Sequence, residues 1–340
     1  MIVINALFAT MTTSSSQGIS SRNLHGWGAT PPTLQLPHQA KVAVSLVINF
    51  EEGAEWSIAD GDPTTERVAE VHSVVPAGVW DQGTEQQFAY GMRAGVWRFL
   101  DALRRHNRTA TFYMCGQAVE RSPHIAAQIV AQGHEAACHG WRWRPHADYD
   151  HPARERADLQ RCIEVTQQAT GQRPWGFFCR GSESRWTRAL LQELDFEYAS
   201  NGLDDDLPYF DTSLPAPMLV MPYALDSNDM KFFHPNGFAC ADEMVTYVSD
   251  ALDVLIAEGE RGTPKLLNIG YHLRITGRPG RFAAFERVLQ LLERLGDSVW
   301  VASRLEIARL CRQQMPHPHH AHDAHAARAE TPPSLLHSSL

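Results

Sequence analysis

Val42-Ala-Val-Ser-Leu-Val-Ile-Asn49, followed at once by Phe50-Glu-Glu-Gly53, decides how the rest of the chain is read. The run is polar only at Ser45 and Asn49. Continuous rather than alternating apolar character marks a strand covered on both faces, as parallel strands are. Two adjacent carboxylates, Glu51 and Glu52, then stand where that strand leaves the core.

Downstream, strands and helices alternate. Gly95 to His106 carries Val96, Phe99, Leu100 and Leu103 at helical spacing. Thr109 to Met114 reads as a strand. Ser122-Pro123 opens a helix through Val130, with Pro at the tolerated first turn. Gly133 to His139 is a short strand, and Ala153 to Thr170 a helix ended by Gly171. Strands at Gly176–Cys179, Met218–Met221 and Lys265–Gly270 are followed by helices at Trp186–Leu194, Ala241–Ala257 and Arg281–Leu295, and Val299–Val301 and Leu305–Leu310 close the series. This order predicts an α/β fold with a parallel sheet and outer helices. About seven β-α units suit a barrel better than an open sheet, and barrel chemistry gathers at the C-terminal ends of the strands. The domain reading is an N-terminal arm over 1–39, rich in Ser, Thr, Gly and Pro, a barrel over 40–312, and a tail over 313–340. The tail's Pro316-His-Pro-His-His-Ala-His-Asp-Ala-His325 has no apolar periodicity and reads as disordered, with the chemistry to bind a transition metal.

The chain has 340 residues, 44% of them hydrophobic and 20% charged, enough for a sizeable core. Its formal charge of −9 argues against nucleic acid or an anionic membrane as a partner, because both call for a basic surface. No apolar run approaches the roughly 18 residues of a membrane span. The apolar start, Met1 to Thr10, lacks the basic region of a signal peptide, so a cytoplasmic location is expected. Six scattered cysteines form no C-x-x-C pair and read as free thiols in a reducing compartment, Cys138 and Cys179 included.

The polar residues at predicted strand ends are Asn49, Glu51 and Glu52; His139; Arg180; Asn228 and Asp229; His272 and Arg274. Adjacent carboxylates at a barrel mouth repel, so one pKa is expected to rise toward the value of a general base. His139 has no second histidine at a metal-pairing interval, since Trp143 stands four residues on. Two histidines, two glutamates and arginines at strand ends together form a candidate hydrolytic site.

These segments resemble the polysaccharide deacetylase superfamily, from about Leu24 to Leu310, and the resemblance implies a distorted (β/α)7 barrel. Asn49-Phe-Glu-Glu52 looks like the family's first motif, in which the first acid is the general base and the second a metal ligand. His139 matches the first metal-binding histidine of the second motif, and Trp143 replaces the second. Arg180 falls in a stretch similar to the third motif, whose arginine orients the base, and His272 matches the histidine that acts as general acid. Glu-Glu for Asp-Asp, Cys138-His-Gly-Trp-Arg-Trp143, Asp205-Asp-Leu-Pro-Tyr209, Pro222-Tyr223 through Asn228-Asp229, and Gly277-Arg-Pro-Gly-Arg281 resemble the allantoinase-like branch. That branch opens cyclic ureides, is described as metal-independent, and implies a homo-oligomer in purine or ureide catabolism. The chain departs from it at Cys179-Arg-Gly-Ser-Glu-Ser-Arg-Trp-Thr-Arg188, and at Ser200-Asn201, where Ser-Asp is usual.

The resulting expectation is a hydrolase of a carbon–nitrogen bond in a small cyclic amide or ureide. Glu51, His139, His272 and Arg180 are its catalytic residues. Glu52, Asn49, Trp143, Asn228, Asp229 and Arg274 bind the substrate. No cofactor is expected, a divalent metal at Glu52 and His139 being the disfavoured option. The alternatives are an N-deacetylase of N-acetylated sugars and a barrel that binds a ligand without turnover.

Overall fold

The computed structural model describes residues 23–71, 73–214 and 216–315; the first part of the arm and the His-rich stretch from Pro316 lie outside them. Strand β1 (Val42–Phe50) is buried at every position, as its unbroken apolar run requires. It pairs in parallel with β2 (Thr111–Met114) on one side and β8 (Lys265–His272) on the other, and β9 (Val299–Val301) joins its start. With β3 (Glu135–Cys138), β4 (Gly176–Phe177), β5 (Tyr198–Gly202), β6 (Tyr209–Asp211) and β7 (Met218–Pro222), the order is β6-β7-β5-β4-β3-β2-β1-β8. Every pairing is parallel except β6 on β7. Helices α1 (Gln82–Tyr90), α2 (Val96–Arg105), α3 (Gly116–Arg121), α4 (Pro123–Ala131), α5 (Pro152–Thr170), α6 (Thr187–Glu193), α7 (Ala241–Glu260), α8 (Pro279–Leu295) and α9 (Arg304–Gln314) complete the α/β fold, a distorted (β/α)7 barrel.

The register explains why distant residues share one rim. Asn49 lies opposite both Tyr113 and His272, Phe50 opposite Met114, Met114 opposite Cys138, and Cys138 opposite Phe177. The parallel strands therefore end level, and the residues that follow them emerge on the same side.

The ladder is not continuous between β7 and β8. A side chain and an isolated backbone bond bridge that seam instead. The Asn268 amide accepts from the Ala224 N–H at 2.6 Å and donates to its carbonyl at 3.3 Å, in the manner of a neighbouring strand. Gly270 N–H donates to the Ser227 carbonyl at 3.2 Å. Inside, the buried Arg304 guanidinium donates to the hydroxyls of Ser45 and Ser200 and to the carbonyls of Met221 and Pro222. One cation thus satisfies groups from β1, β5 and β7 that would otherwise be buried unpaired.

Five elements escape a reading by periodicity. Helix α1 buries only Thr84 and Phe88, and Asp81 caps it by accepting from Thr84 N–H at 3.0 Å. A π-helical turn, Gly91–Gly95, carries it into α2, so the helix read from Gly95 begins further upstream. Gly95 is needed there because a Cβ would collide with the Leu273 carbonyl oxygen. Helix α3 is a single short stretch after β2, too brief to show a period. Strand β5 reads Tyr-Ala-Ser-Asn-Gly, with no apolar run, and is specified by its neighbours. Strand β6 is half-buried, an antiparallel addition at the sheet edge. The arm also differs in part: Leu34 and Leu36 are buried against Ile307, Cys311 and Met315, so they belong to the core at the barrel's base. Among the described residues, no helix is long and apolar enough to cross a membrane.

Candidate active site

Glu51 follows the last residue of β1 and is 1% exposed. Its Oε1 lies 3.2 Å from His139 Nε2 and 3.3 Å from His272 Nε2, and its Oε2 accepts from Arg274 Nη1 at 2.7 Å. His139 leaves β3, and its Nδ1 meets the Phe178 carbonyl at 2.5 Å while Phe178 stacks on the ring. His272 is the last residue of β8. Its Nδ1 sits 2.6 Å from Asp229 Oδ1, and Asp229 Oδ2 accepts from the His272 N–H at 2.8 Å and the Thr276 hydroxyl at 2.7 Å. Both nitrogens of His272 therefore face carboxylates.

Burial and charge set the protonation states. Burial pushes the Glu51 carboxyl up, but the charges of His272 and Arg274 and the hydrogen bonds from His139 and His272 outweigh it and hold it well below the usual range. Burial likewise penalises the His272 cation, yet Glu51 and Asp229 raise its pKa from 6.5 to about 9. Glu52 moves the other way, to about 7, through burial first and the Glu51 charge after the opposing pull of Arg274. The expected split of the two carboxylates is present, but the raised one is Glu52 and not Glu51.

Glu52 is also placed differently from expectation. One oxygen accepts from the Arg274 N–H at 2.9 Å and the other from the Glu51 N–H at 3.2 Å, so it is committed to the backbone rather than turned to a ligand. Gly91 packs against it, where a Cβ would stand 2.6 Å from Oε1. Asn49 donates to the Tyr271 carbonyl at 3.1 Å within the sheet. Asn228 caps the turn at Asp229 by accepting from Met230 N–H at 2.9 Å and donates to the Tyr223 hydroxyl at 3.0 Å. Asp229 is fully buried behind His272. The geometry gives Asn228 and Asp229 structural or positioning roles, because their polar groups are used inside the protein, whereas Asn49 keeps a buried amide oxygen with no hydrogen-bond partner.

Arg180 does not hold Glu51. It makes a two-pronged pair with Glu66, at 2.6 and 3.2 Å, and lies 3.8 Å from the Trp143 ring centroid. Glu66, unmarked in the sequence by any motif, draws it outward, and Arg274 takes the grip on Glu51. Trp143 is 4% exposed, with Arg180 and Arg274 both against its ring, the latter at 4.6 Å. The altered third motif builds the loop after β4. Ser184 donates to Glu155 at 2.5 Å, and Arg188 pairs with Glu183 at 2.8 Å and Asp211 at 2.6 Å. Asn201 pairs with both the N–H and the carbonyl of Cys179, each at 2.9 Å. An aspartate could accept but not donate there. Cys138 and Cys179 are buried, and burial pushes both thiols well above the usual value, which disfavours the nucleophilic thiolate.

The donor set does not fit a catalytic metal. Zinc normally takes about three protein ligands. Trp143 offers none, both Glu52 oxygens accept backbone N–H groups, and His139 is held between Phe178 and Glu51. Among the described residues no group of three His, Cys, Asp or Glu is arranged to hold an ion. A groove of about 1450 Å³ lies elsewhere, along the β7–β8 seam between Trp27, Leu203, Tyr209, Leu225, Tyr247 and Val254. Its walls are apolar and acidic, and its Lys265 is tied to Asp206 at 3.6 Å and to Glu258 at 3.0 Å, so the chemistry points to the Glu51 centre.

Residues 80–199 match the sequence profile of polysaccharide deacetylases. A Schizosaccharomyces pombe protein, "Putative polysaccharide deacetylase", is 32% identical over 326 residues, covering 87% of this chain and 98% of its own. Similar solved structures include the following two. A probable polysaccharide deacetylase from Pseudomonas aeruginosa PAO1 is 40% identical with a TM-score of 0.82, over 87% of this chain and 99% of that one. A PuuE allantoinase is 38% identical with a TM-score of 0.83, over 88% and 99%.

Proposed function

The chain belongs to the polysaccharide deacetylase family, and within it we propose a metal-independent hydrolase that opens a small cyclic amide or ureide. The observation that carries this reading is the enclosure of Glu51. Its carboxylate is held by His139, His272 and Arg274, all at most 4% exposed, which favours a compact substrate over a strand lying along an open surface. The similarity to an allantoinase supports the same substrate class.

In the proposed reaction Glu51 takes a proton from water as the oxygen bonds to the amide carbon. His272, protonated below about pH 9, gives its proton to the departing ring nitrogen as the C–N bond breaks. Ion pairing keeps Glu51 ionised at neutral pH. Its basicity rises as His272 loses its charge, so the two transfers reinforce each other. Glu51 Oε1 and His272 Nε2, 3.3 Å apart, then return the proton and reset the site. Asp229 orients His272, and His139 fixes the Glu51 carboxylate.

The names of the yeast and Pseudomonas relatives favour a second reading, N-deacetylation of a sugar polymer. Turnover of allantoin, hydantoin, succinimide and an N-acetylglucosamine oligomer, each with and without chelator, decides between them. Ring opening that resists chelator is expected. Hydrolysis of the oligomer alone, abolished by chelator, would overturn the proposal.

A further inference from the structure

Arg274 has more donors than its grip on Glu51 uses. Its Nη1 lies 2.7 Å from Glu51 Oε2 and 3.7 Å from Glu52 Oε1, so the guanidinium stands between the two carboxylates. Its Nε and Nη2 are buried and have no hydrogen-bond partner. The side chain is 3% exposed, and its central carbon lies 4.4 Å from the Phe88 ring centroid and 4.6 Å from that of Trp143. Leaving charged donors unpaired in a buried site is costly. These two nitrogens form one edge of the guanidinium, a planar fork suited to an oxygen with two lone pairs or to a carboxylate. The aromatic rings hold the plane of the cation in place.

We propose that Arg274 is a catalytic residue whose free Nε/Nη2 edge binds the carbonyl oxygen of the scissile amide and stabilises the negative charge that develops there. The inference rests on the hydrolase reading above and assigns an internal cation the work of the oxyanion site. As water's oxygen bonds to carbon, the C=O π pair moves onto the oxygen beside the fork. When the pair returns, the C–N bond breaks and His272 protonates the nitrogen. No co-reactant besides water is needed. Donors that exist before the substrate arrives need no reorganisation during reaction, which is what makes them effective.

Two measurements on the full chain test this. The first follows the Arg274 Nε–H resonance of the wild type, assigned by its loss in Arg274→Lys, during titration with sodium acetate and with hydantoin. Acetate carries the planar pair of oxygens the fork should take. A saturable shift of that resonance is expected. No shift at saturating acetate would overturn the proposal, whatever the substrate proves to be. The second compares Arg274→Lys with the wild type on whichever amide is turned over. Lysine keeps the positive charge beside Glu51 and loses the fork, so kcat should fall by about 10²–10³ with little change in KM. A kcat within about threefold of the wild type, in a variant that melts normally, would reduce Arg274 to a partner of Glu51. If the wild type opens no cyclic amide but the acetate shift appears, the substrate reading fails and the anion site stands.

Discussion

Glu51 and His272 divide the acid and base work because their surroundings pull their pKa values apart in useful directions. Replacing Glu51 by glutamine keeps the shape and removes the basicity. Turnover should fall by about 10²–10⁴-fold with the circular dichroism spectrum unchanged, and near-normal turnover would remove Glu51 from the mechanism. The acid is equally testable by pH. His272 is raised from 6.5 to about 9, so activity should hold through neutrality and decline above about pH 9. Asp229→Asn removes one of the two charges that raise it, and the alkaline limb should move toward lower pH. The stability effect has a definite sign. A raised folded pKa gives stabilisation that is complete below 6.5 and is lost as pH rises through 9. The loss is about 3 kcal/mol by linkage. Glu52, raised to about 7, loses its own contribution as pH rises toward neutrality, and the buried thiols lose theirs above about pH 9, so the His272 part is read as the difference in melting between the wild type and His272→Gln across pH 6–9. An unchanged alkaline limb in Asp229→Asn would mean that another group sets it.

At the scale of elements, the close contact between the π-helical turn and β8's exit loop places Arg274 and Glu52. Gly95 has no room for a Cβ against the Leu273 carbonyl, and Gly91 has little against Glu52 and the Arg274 N–H. Gly95→Ala should therefore cost about 1–3 kcal/mol by overpacking. Gly280, near the start of α8 with open space around it, is the control, and Gly280→Ala should be neutral or slightly stabilising. Denaturant titration of the two variants measures the difference. Equal midpoints would show that the turn gives way easily. The π-helical turn itself was not legible in the sequence. The helical spacing begins only at Gly95 and leaves Gly91 unmarked, and only the neighbouring backbone shows that both glycines allow a close approach.

Over the whole molecule, Arg304 joins parts of the barrel that the strand ladder leaves separate. It binds Ser45 in β1, Ser200 in β5, and the last residues of β7. Arg304→Met fills much of the volume but abandons those hydroxyls and carbonyls, each at about 1–3 kcal/mol when buried and unpaired. A melting point lowered by several degrees or more is expected, with the remaining folded fraction still active because Arg304 is not among the groups holding Glu51. A melting point unchanged in this variant would mean that the seam is held by the Asn268 and Ser227 bonds alone.

The chain's own residues determined the alternation of strands and helices, the burial of β1 and the C-terminal rim on which Glu51, His139 and His272 emerge. Those features follow from apolar periodicity and strand direction, which are local or nearly so. The sequence also singled out Trp143 as the departure from a metal-ligand set. It did not determine which arginine serves Glu51, which glutamate has the raised pKa, or that Asp229 stands behind His272 rather than in front of a ligand. Each of those depends on distances between residues far apart in the chain: Glu66 drawing off Arg180, Arg274 coming within 2.7 Å of Glu51, and the backbone N–H groups enclosing Glu52. Coulombic and desolvation energies vary steeply over a few ångströms, so only the tertiary structure could decide them.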